Sequence, residues 1–165
     1  MAISDPADVT VRRAGPSDAE AMQRLGRSAY QRYVPRIGQE PAPMTDDYAA
    51  TTRRGHSWVA EYGGPVIGLL VLEPAEGYLL LENVAVAHEM RGSGIGSRLL
   101  RLAVEQARTA GLPEIRLYTN EAMTENLAYY PRHGYRETHR ATQDGYHRVF
   151  YSKAISPREG PPRAQ

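Results

Sequence analysis

The sequence predicts a single domain with a mixed α/β (α+β) fold, and two observations support this prediction. Segments with strand character and segments with helical spacing alternate along the chain, with three adjacent strand-like runs in the first half. The chain has 165 residues, a length typical of one domain with its own core. We expect the domain to span residues 9–155, with disordered ends at 1–8 and 156–165, the second of which is rich in proline and glycine.

In the first half of the domain we expect a strand, two helices and three further strands. Residues 9–13 are β-rich, and acidic side chains after Pro16 mark a helix start because they lie at the positive end of the helix dipole. Residues 35–44 hold three prolines and a glycine, which predicts a loop. A short helix with Thr45 or Asp46 as its N-cap follows. The next three β-rich runs are predicted as strands at 57–62, 65–72 and 78–86, with a Gly-Gly hairpin turn after the first.

The second half of the domain alternates helix and strand. The segment 95–110 carries apolar residues on one face and arginines on the other, which predicts an amphipathic helix that ends at Gly111 and Pro113. A second helix is expected at 124–133, where Gly134 ends it. The remaining β-rich runs are predicted as strands at 115–119, 135–140 and 148–153.

Composition and charge exclude several classes of protein. The chain has no cysteine, which rules out disulfides, cysteine nucleophiles and thiolate metal sites. A net charge of +1 argues against a dedicated nucleic-acid binder, and the histidines show no metal-ligand spacing. The longest apolar runs are far shorter than the roughly 20 residues that span a bilayer, and no secretory signal pattern is present. We therefore expect a cytoplasmic domain with no nucleic-acid, membrane or metal partner.

The turn between the predicted strand 78–86 and helix 95–110 is rich in glycine. Gly92, Gly94 and Gly96 let the backbone turn its N–H groups inward, and the helix behind them adds unpaired donors and partial positive charge. This favours an anion such as phosphate, although a tight turn without a ligand is the alternative. A Walker loop is excluded because no lysine precedes Lys153, and a dinucleotide fingerprint fails because Ser97 stands where the last glycine is required.

Two motifs carry a resemblance to a known family. Residues 91–96, Arg-Gly-Ser-Gly-Ile-Gly, fit the pattern Gln/Arg-x-x-Gly-x-Gly/Ala, and Tyr130 precedes Gly134 and Tyr135 as in a second family signature. With both at this separation, the sequence resembles the GNAT superfamily of acetyl-CoA-dependent N-acetyltransferases over residues 9–154. It is most similar, over residues 117–126, to a bacterial subgroup without an assigned substrate. The resemblance implies a mixed, mostly antiparallel sheet of six to seven strands with a V-shaped opening, flanked by about four helices.

The resemblance also implies acetyl-CoA as co-substrate in that opening. Pantetheine would pair with the backbone of strand 78–86, and the pyrophosphate would lie on the amides of the glycine turn. Many members have asparagine seven residues before the tyrosine, where this chain has Met123, so Asn126 would take that role. The implied coenzyme A contacts are Val84, Ala85, Val86, Arg91, Gly92, Ser93, Gly94, Ile95, Gly96, Ser97 and Asn126.

Basic side chains are in excess in the last part of the sequence. Residues 129–165 hold seven basic and three acidic side chains, a surplus of four positive charges. We expect this surplus to serve the 3′-phosphate of coenzyme A. The candidates within this surplus are Arg132, Arg136 and Arg140, and Arg98 after the glycine turn is a further candidate.

The chemistry of amide formation requires two proton movements, and the sequence offers one residue for each. Tyr130, at the position of the family's tyrosine, is expected to be the general acid that protonates the leaving thiolate; the alternative is a packed aromatic side chain. Glu82 interrupts an apolar strand and is expected to act as base, directly or through water, or to bind the substrate's charge; an arginine partner is the alternative. In a regular strand Glu82 and Asn83 point to opposite faces, so both serve the site only if a bulge intervenes.

The acceptor is expected to meet residues 30–44, with Tyr30, Tyr33 and Arg36 as candidate contacts, and the turn at 141–147. The same segment 30–44 can equally be a lid without specificity. The resulting prediction is a transferase that moves an acetyl group from acetyl-CoA directly to a primary amine of a small molecule or peptide. The alternative is a non-catalytic acyl-CoA sensor on the same fold. The resemblance further implies a homodimer, since dimers are common in this superfamily.

Overall fold

The computed structural model describes residues 5–157 and has the mixed α/β architecture that the sequence predicts. The ends were expected to be disordered at 1–8 and 156–165, of which residues 1–4 and 158–165 lie outside the described residues. In the described part of the first end, Pro6–Asp8 forms a single 3₁₀ turn. The strands are β1 Thr10–Arg13, β2 Ser57–Glu61, β3 Val66–Ala75, β4 Tyr78–Val86, β5 Glu114–Asn120, β6 Arg136–Gln143 and β7 Tyr146–Ala154. The helices are α1 Ala19–Tyr30, α2 Val34–Ile37, α3 Tyr48–Arg53, α4 Ile95–Thr109 and α5 Thr124–Arg132.

The strands form one seven-stranded sheet in the order β1-β2-β3-β4-β5-β7-β6. Its neighbours pair antiparallel except β4 and β5, which are parallel. Within the described residues, β4 and β5 pair only at Leu79 with Ile115 and at Leu80 with Arg116, although both strands continue well beyond these positions. The sheet therefore opens between the C-terminal halves of β4 and β5, which is the V-shaped opening that was predicted.

Helix α4 packs its apolar face closely on the sheet. Ile95, Leu99 and Ala103 are at most 3% exposed, whereas Leu102, which was expected on the same stripe, is only partly buried. Gly68 of β3 allows this approach, because a Cβ there would lie 3.2 Å from Cγ2 of Ile95. The glycine thus brings the first turn of α4 against the sheet, next to the opening. Among residues 5–157 no helix combines the length and the apolar character needed to cross a bilayer.

The segment 35–44 is more regular than predicted. It begins inside α2 and includes a single 3₁₀ turn at Ala42–Met44. The prolines do not prevent this, because they occupy first-turn positions where no backbone N–H is needed. The predicted N-caps of the next helix, Thr45 and Asp46, were also wrong. Asp47 caps α3 and accepts a hydrogen bond from the Ala50 N–H at 3.0 Å.

Candidate functional site

The opening between β4 and β5 leads into a cleft of about 630 Å³. Its walls come from the end of α1, the C-terminal half of β4, the glycine turn before α4, and α5. Every residue that the resemblance assigned to coenzyme A lines this cleft except Ser93, whose hydroxyl instead donates to the Met90 carbonyl. Because β4 has no strand partner from residues 5–157 on this side beyond Leu80, its edge can pair with an extended ligand.

The glycine turn has the backbone geometry of an anion cradle. Gly92 and Gly94 have φ values of 78° and 86°, which residues with a Cβ rarely adopt. Gly94 is the N-cap of α4, so the first N–H groups of that helix have no partner within it and carry the positive end of its dipole. This end of the cleft suits the pyrophosphate of a nucleotide cofactor.

Tyr129 reaches this turn from α5. Its side chain is half-buried in the cleft wall. A Cβ at Gly96 would lie 2.6 Å from the Tyr129 hydroxyl, so the third glycine is needed to make room for this tyrosine. The turn and α5 are therefore fitted to each other at this point.

Tyr130 is buried among aromatic rings, with Tyr129, Tyr135 and Tyr151 at centroid distances of 5.5, 5.7 and 6.0 Å. Gly134, at φ 87°, ends α5, and the Tyr135 N–H returns to the Tyr130 carbonyl at 3.2 Å. The Tyr130 hydroxyl makes no hydrogen bond to another group of residues 5–157. Burial, followed by the neighbouring tyrosines, raises the pKa of its phenol well above the usual 10.0. The phenol is therefore neutral and can donate a proton at physiological pH.

A second, smaller cavity of about 110 Å³, here named the inner pocket, adjoins the cleft. Four residues line both spaces: Tyr30, Val84, Asn126 and Tyr130. The rest of the inner pocket is formed by residues 41–43, Asp46, residues 81–83 and Met123, together with residues of β5 and β7. Tyr130 thus lies where the two spaces meet.

Strand β4 carries a bulge at Glu82. Val71 of β3 stands opposite Asn83 and Leu72 stands opposite Leu81, which leaves Glu82 as an extra residue. In a regular strand the side chains of Glu82 and Asn83 would point to opposite faces. With the bulge, both Glu82 and Asn83 line the inner pocket.

The environment of Glu82 sets its acidity. Burial raises the pKa of the Glu82 carboxyl. Arg54, whose Nη2 lies 3.8 Å from Glu82 Oε2, opposes this effect, and Asp46 and Glu73 raise the pKa further. The arginine partner considered from the sequence is therefore present, and Glu82 still lines the pocket with a carboxyl that is easier to protonate than usual.

Asn83 anchors a buried chain of hydrogen bonds beside the inner pocket. The Tyr30 hydroxyl donates to its Oδ1 at 2.8 Å, and its Nδ2 donates to the Tyr48 hydroxyl at 3.1 Å. Tyr48 in turn donates to the Pro43 carbonyl, which fixes the segment above the pocket. Gly26 of α1 leaves the space for this contact, since a Cβ there would lie 2.5 Å from the Tyr48 hydroxyl.

The three candidate acceptor contacts lie in different places. Tyr30 lines both cavities, whereas Tyr33 is buried and lines only the cleft, not the inner pocket. Arg36 lines neither and pairs with Glu125 at 3.0 Å. The reason is that residues 34–37 form the helical turn α2, which directs Arg36 toward α5 instead of the pocket.

The arginine candidates for the 3′-phosphate differ in whether they line the cleft. Arg98 was a wrong candidate, because it points away from the cleft and donates to the Val9 carbonyl at 2.6 Å beside β1. Arg140 pairs with Glu121 at 2.9 Å and with Glu137, and Arg136 is exposed on β6 without lining the cleft. Arg132, at the end of α5, does line it.

Asn126, which the resemblance assigns to coenzyme A, has its position fixed by α5 and β5. It lies on α5 four residues before Tyr130, lines both cavities, and donates from Nδ2 to Thr119 Oγ1 at 3.0 Å. Met123, in the usual asparagine position, is buried and lines the inner pocket.

Two charged side chains of the inner pocket were not found from the sequence. Asp46 was considered only as a helix cap, and Arg148 was read as part of a strand. No local sequence pattern distinguishes them, because only the folded chain brings both residues to the same pocket. Within residues 5–157 no group of three or more His, Asp and Glu side chains is arranged to hold a metal ion.

The comparisons with known proteins agree with this geometry. Residues 20–135 match the model of the acetyltransferase (GNAT) family. The chain is 33% identical to rat N-acetyltransferase family 8 member 2 over 103 residues, which are 59% of this chain and 45% of the relative. It is 31% identical to the uncharacterized N-acetyltransferase YjgM of Escherichia coli K12 over 99 residues, 56% of this chain and 59% of that protein. The chain thus spans about half the length of these curated relatives.

Solved structures share the fold. A PaiA N-acetyltransferase from Thermoplasma acidophilum in complex with coenzyme A superposes with a TM-score of 0.76 at 18% identity, covering 89% of this chain and 99% of that chain. The ribosomal-protein-S18-alanine N-acetyltransferase from Escherichia coli gives a TM-score of 0.71 at 16% identity, covering 95% and 99%. At these identities the likeness concerns the fold.

Proposed function

The chain belongs to the acetyltransferase (GNAT) family, and we propose that it transfers an acetyl group from acetyl-CoA directly to the nitrogen of a primary amine. The observation that most supports this function is the position of Tyr130, which lines both the cleft and the inner pocket. A donor held in the cleft and an acceptor held in the inner pocket would meet at this side chain. The N-acetyltransferase names of its relatives are consistent with this function.

Three features of the cleft fit coenzyme A. The edge of β4 at Val84–Val86 has no strand partner on the cleft side, so it can pair with the amides of pantetheine. The glycine turn offers backbone N–H groups to the pyrophosphate, and Gly96 keeps this end clear of a Cβ. Arg132 lies in the cleft wall and would meet the 3′-phosphate. When bound, acetyl-CoA supplies the acetyl group as a thioester.

Two side chains of the inner pocket would carry out the proton transfers. A substrate ammonium must lose a proton before its nitrogen can attack, and Glu82 would take that proton directly or through water. A C–N bond forms while the C–S bond breaks, and Tyr130 would give its proton to the departing sulfur. Since the chain has no cysteine, no cysteine acyl-enzyme is available, and transfer would occur in a ternary complex.

Amine-dependent release of coenzyme A tests this proposal. The purified chain is incubated with acetyl-CoA and a panel of amino acids, polyamines, aminoglycosides and peptides. Free thiol is followed by a colorimetric reagent, and acetylated products are identified by mass spectrometry. We expect thiol release that depends on at least one amine and matches the acetylated product. Tight coenzyme A binding without turnover on any amine would contradict the proposal and favour a non-catalytic sensor.

A further inference from the structure

The inner pocket carries opposite charges on different sides. Asp46 and Glu82 line it from the α2–α3 connection and from β4, and Arg148 lines it from β7. A molecule that fills this pocket therefore meets carboxylates and a guanidinium together. Both kinds of charge are left incompletely paired by the protein itself.

On the acidic side of the pocket, the carboxylates outnumber the cations that could neutralise them. Arg54 lies 3.4 Å from the Glu73 carboxylate and 3.8 Å from that of Glu82, so it is shared. The Asp46 carboxylate makes no hydrogen bond and no ion pair within residues 5–157. Burial raises the pKa of this carboxyl, and the charge of Arg54 opposes that effect. One guanidinium thus serves three carboxylates. An ammonium group in the pocket would supply the missing positive charge.

On the basic side of the pocket, two tyrosine rings position the Arg148 guanidinium. The Arg148 guanidinium lies 4.3 Å from the Tyr118 ring centroid and 5.6 Å from that of Tyr146. Its Nη1 donates to Gln143 Oε1 at 2.7 Å, and no carboxylate within the described chain pairs with it. Stacking on tyrosines fixes the plane of a guanidinium without neutralising it, which suits the two-oxygen face of a carboxylate.

The size of the pocket favours a small molecule. Its volume of about 110 Å³ accommodates few heavy atoms. The segment above it is tied to the β6–β7 turn, because the Tyr146 hydroxyl donates to the Glu40 carbonyl at 2.7 Å and Gln39 Nε2 donates to the Gly145 carbonyl at 3.4 Å. These contacts hold this segment in place beside the pocket.

We propose that the acceptor is a small zwitterionic amine, an amino acid or close analogue, whose ammonium group lies against Asp46 and Glu82 and whose carboxylate lies against Arg148. This inference rests on the proposed acetyl transfer and names the substrate class of the same site. The transferable nitrogen would then lie in the pocket that Tyr130 also lines, and β7 would hold the carboxylate end.

Matched pairs of amines test the inference. Glycine, β-alanine, 4-aminobutyrate and a set of L-amino acids are each compared with the corresponding amide, which keeps the amine and loses the negative charge. We expect kcat/KM to favour the carboxylate member of at least one pair by about ten- to hundredfold. In Arg148→Gln that preference should disappear, because the loss of kcat/KM should fall mainly on the carboxylate member of the pair.

Two further variants separate the roles of the charges. Arg116→Gln is the matched control, because Arg116 also lies over a tyrosine, 4.1 Å from the Tyr78 centroid, but outside the pocket. It should keep the preference. Asp46→Asn should raise KM for both members of a pair alike, since both carry the ammonium group.

The outcomes distinguish this inference from the proposed function. Equal kcat/KM for acids and amides, or an Arg148→Gln variant that slows both equally, would overturn the zwitterion inference and leave acetyl transfer standing. Efficient acetylation of peptides whose carboxylate lies far from the amine would also overturn it. If no amine of either series is acetylated while coenzyme A binds, the proposed function fails and the inference falls with it.

Discussion

The Tyr129 hydroxyl lies directly over Gly96, at 2.6 Å from the position that a Cβ would occupy there. This contact joins the first turn of α4, which would hold the pyrophosphate, to α5, which carries Tyr130. The helix that would bind the cofactor and the helix that carries the proposed proton donor therefore approach each other at Gly96. A side chain at position 96 must displace Tyr129 or separate the helices.

Gly96→Ala is therefore expected to weaken coenzyme A binding about tenfold or more, as overpacking costs about 1–3 kcal/mol. The backbone at position 96 is helical, so the substitution itself introduces no strain. Isothermal titration calorimetry with coenzyme A measures the effect. The Gly96→Ala, Tyr129→Phe double variant should recover most of the affinity, because the Cβ would then meet ring carbon at 3.7 Å. A double variant as weak as the single one would show that this contact is not the cause.

Arg132→Ala is expected to weaken coenzyme A about ten- to hundredfold and dephospho-coenzyme A much less, since a charge-assisted contact contributes about 1.5–3 kcal/mol. The reason is that Arg132 lies in the cleft wall, where it would meet the 3′-phosphate. Arg98→Ala is the control, because its guanidinium is turned away to the Val9 carbonyl. Equal losses for the two ligands in Arg132→Ala would contradict this role.

The acid side of the pH–kcat profile is expected to depend on Arg54. Burial raises the pKa of Glu82, and Arg54 lowers it. A base works when deprotonated, so kcat should rise with pH through this pKa at saturating substrates. Arg54→Gln should move the rise to higher pH, and Glu82→Gln should remove it and lower kcat about 10²-fold or more. Arg53→Gln, on the same helix and exposed, should leave the profile in place. A shift to lower pH in Arg54→Gln would refute the assignment.

Asp18 is expected to stabilise the fold at neutral pH. Its buried carboxylate accepts hydrogen bonds at 2.8 Å from two Arg12 nitrogens and from the Gly15 N–H, and the Arg12 bonds chiefly lower its pKa. Asp18→Asn should cost about 1–3 kcal/mol of unfolding free energy at pH 7. Because the folded pKa lies below the unfolded value of about 3.9, the difference should persist above that pH and shrink below it. Urea unfolding at several pH values measures this.

The matched control for Asp18 is Glu20→Gln. Glu20 forms an exposed pair with Arg24 along α1, its side chain being 85% exposed. Such pairs contribute within about 0.5 kcal/mol. If both variants lose the same stability, or if the Asp18 difference grows in acid, the role given to Asp18 is incorrect.

The parts of the fold that depend on local patterns were predictable. Strand β4 has the bounds expected from its apolar run, and α4 ends one residue before the predicted position. The bulge at Glu82 was left open because it depends on the register of β3, which no local pattern records. The helical turn α2 was missed because prolines usually signal loops, although a first-turn position tolerates them.

The site divides in the same way. The glycine turn and Tyr130 lie in contiguous motifs, so the sequence located them. Asp46 and Arg148 are far apart in the sequence and line the same pocket only because β7 inserts beside β5 in the sheet. Arg98 follows the glycine turn closely, yet the helical rotation directs it toward β1. Proximity in sequence was therefore a poor guide for side chains outside the motifs.

The most direct measurement is the rate of acetyl transfer by Tyr130→Phe under saturating acetyl-CoA and the best amine of the panel. The phenyl ring keeps the contacts with Tyr135 and Tyr151 and removes only the hydroxyl, so coenzyme A affinity and thermal stability should remain close to those of the unmodified chain. We expect kcat to fall about 10²- to 10³-fold at every pH from 6 to 9. An unchanged kcat across that range would contradict the assignment of Tyr130 as the proton donor.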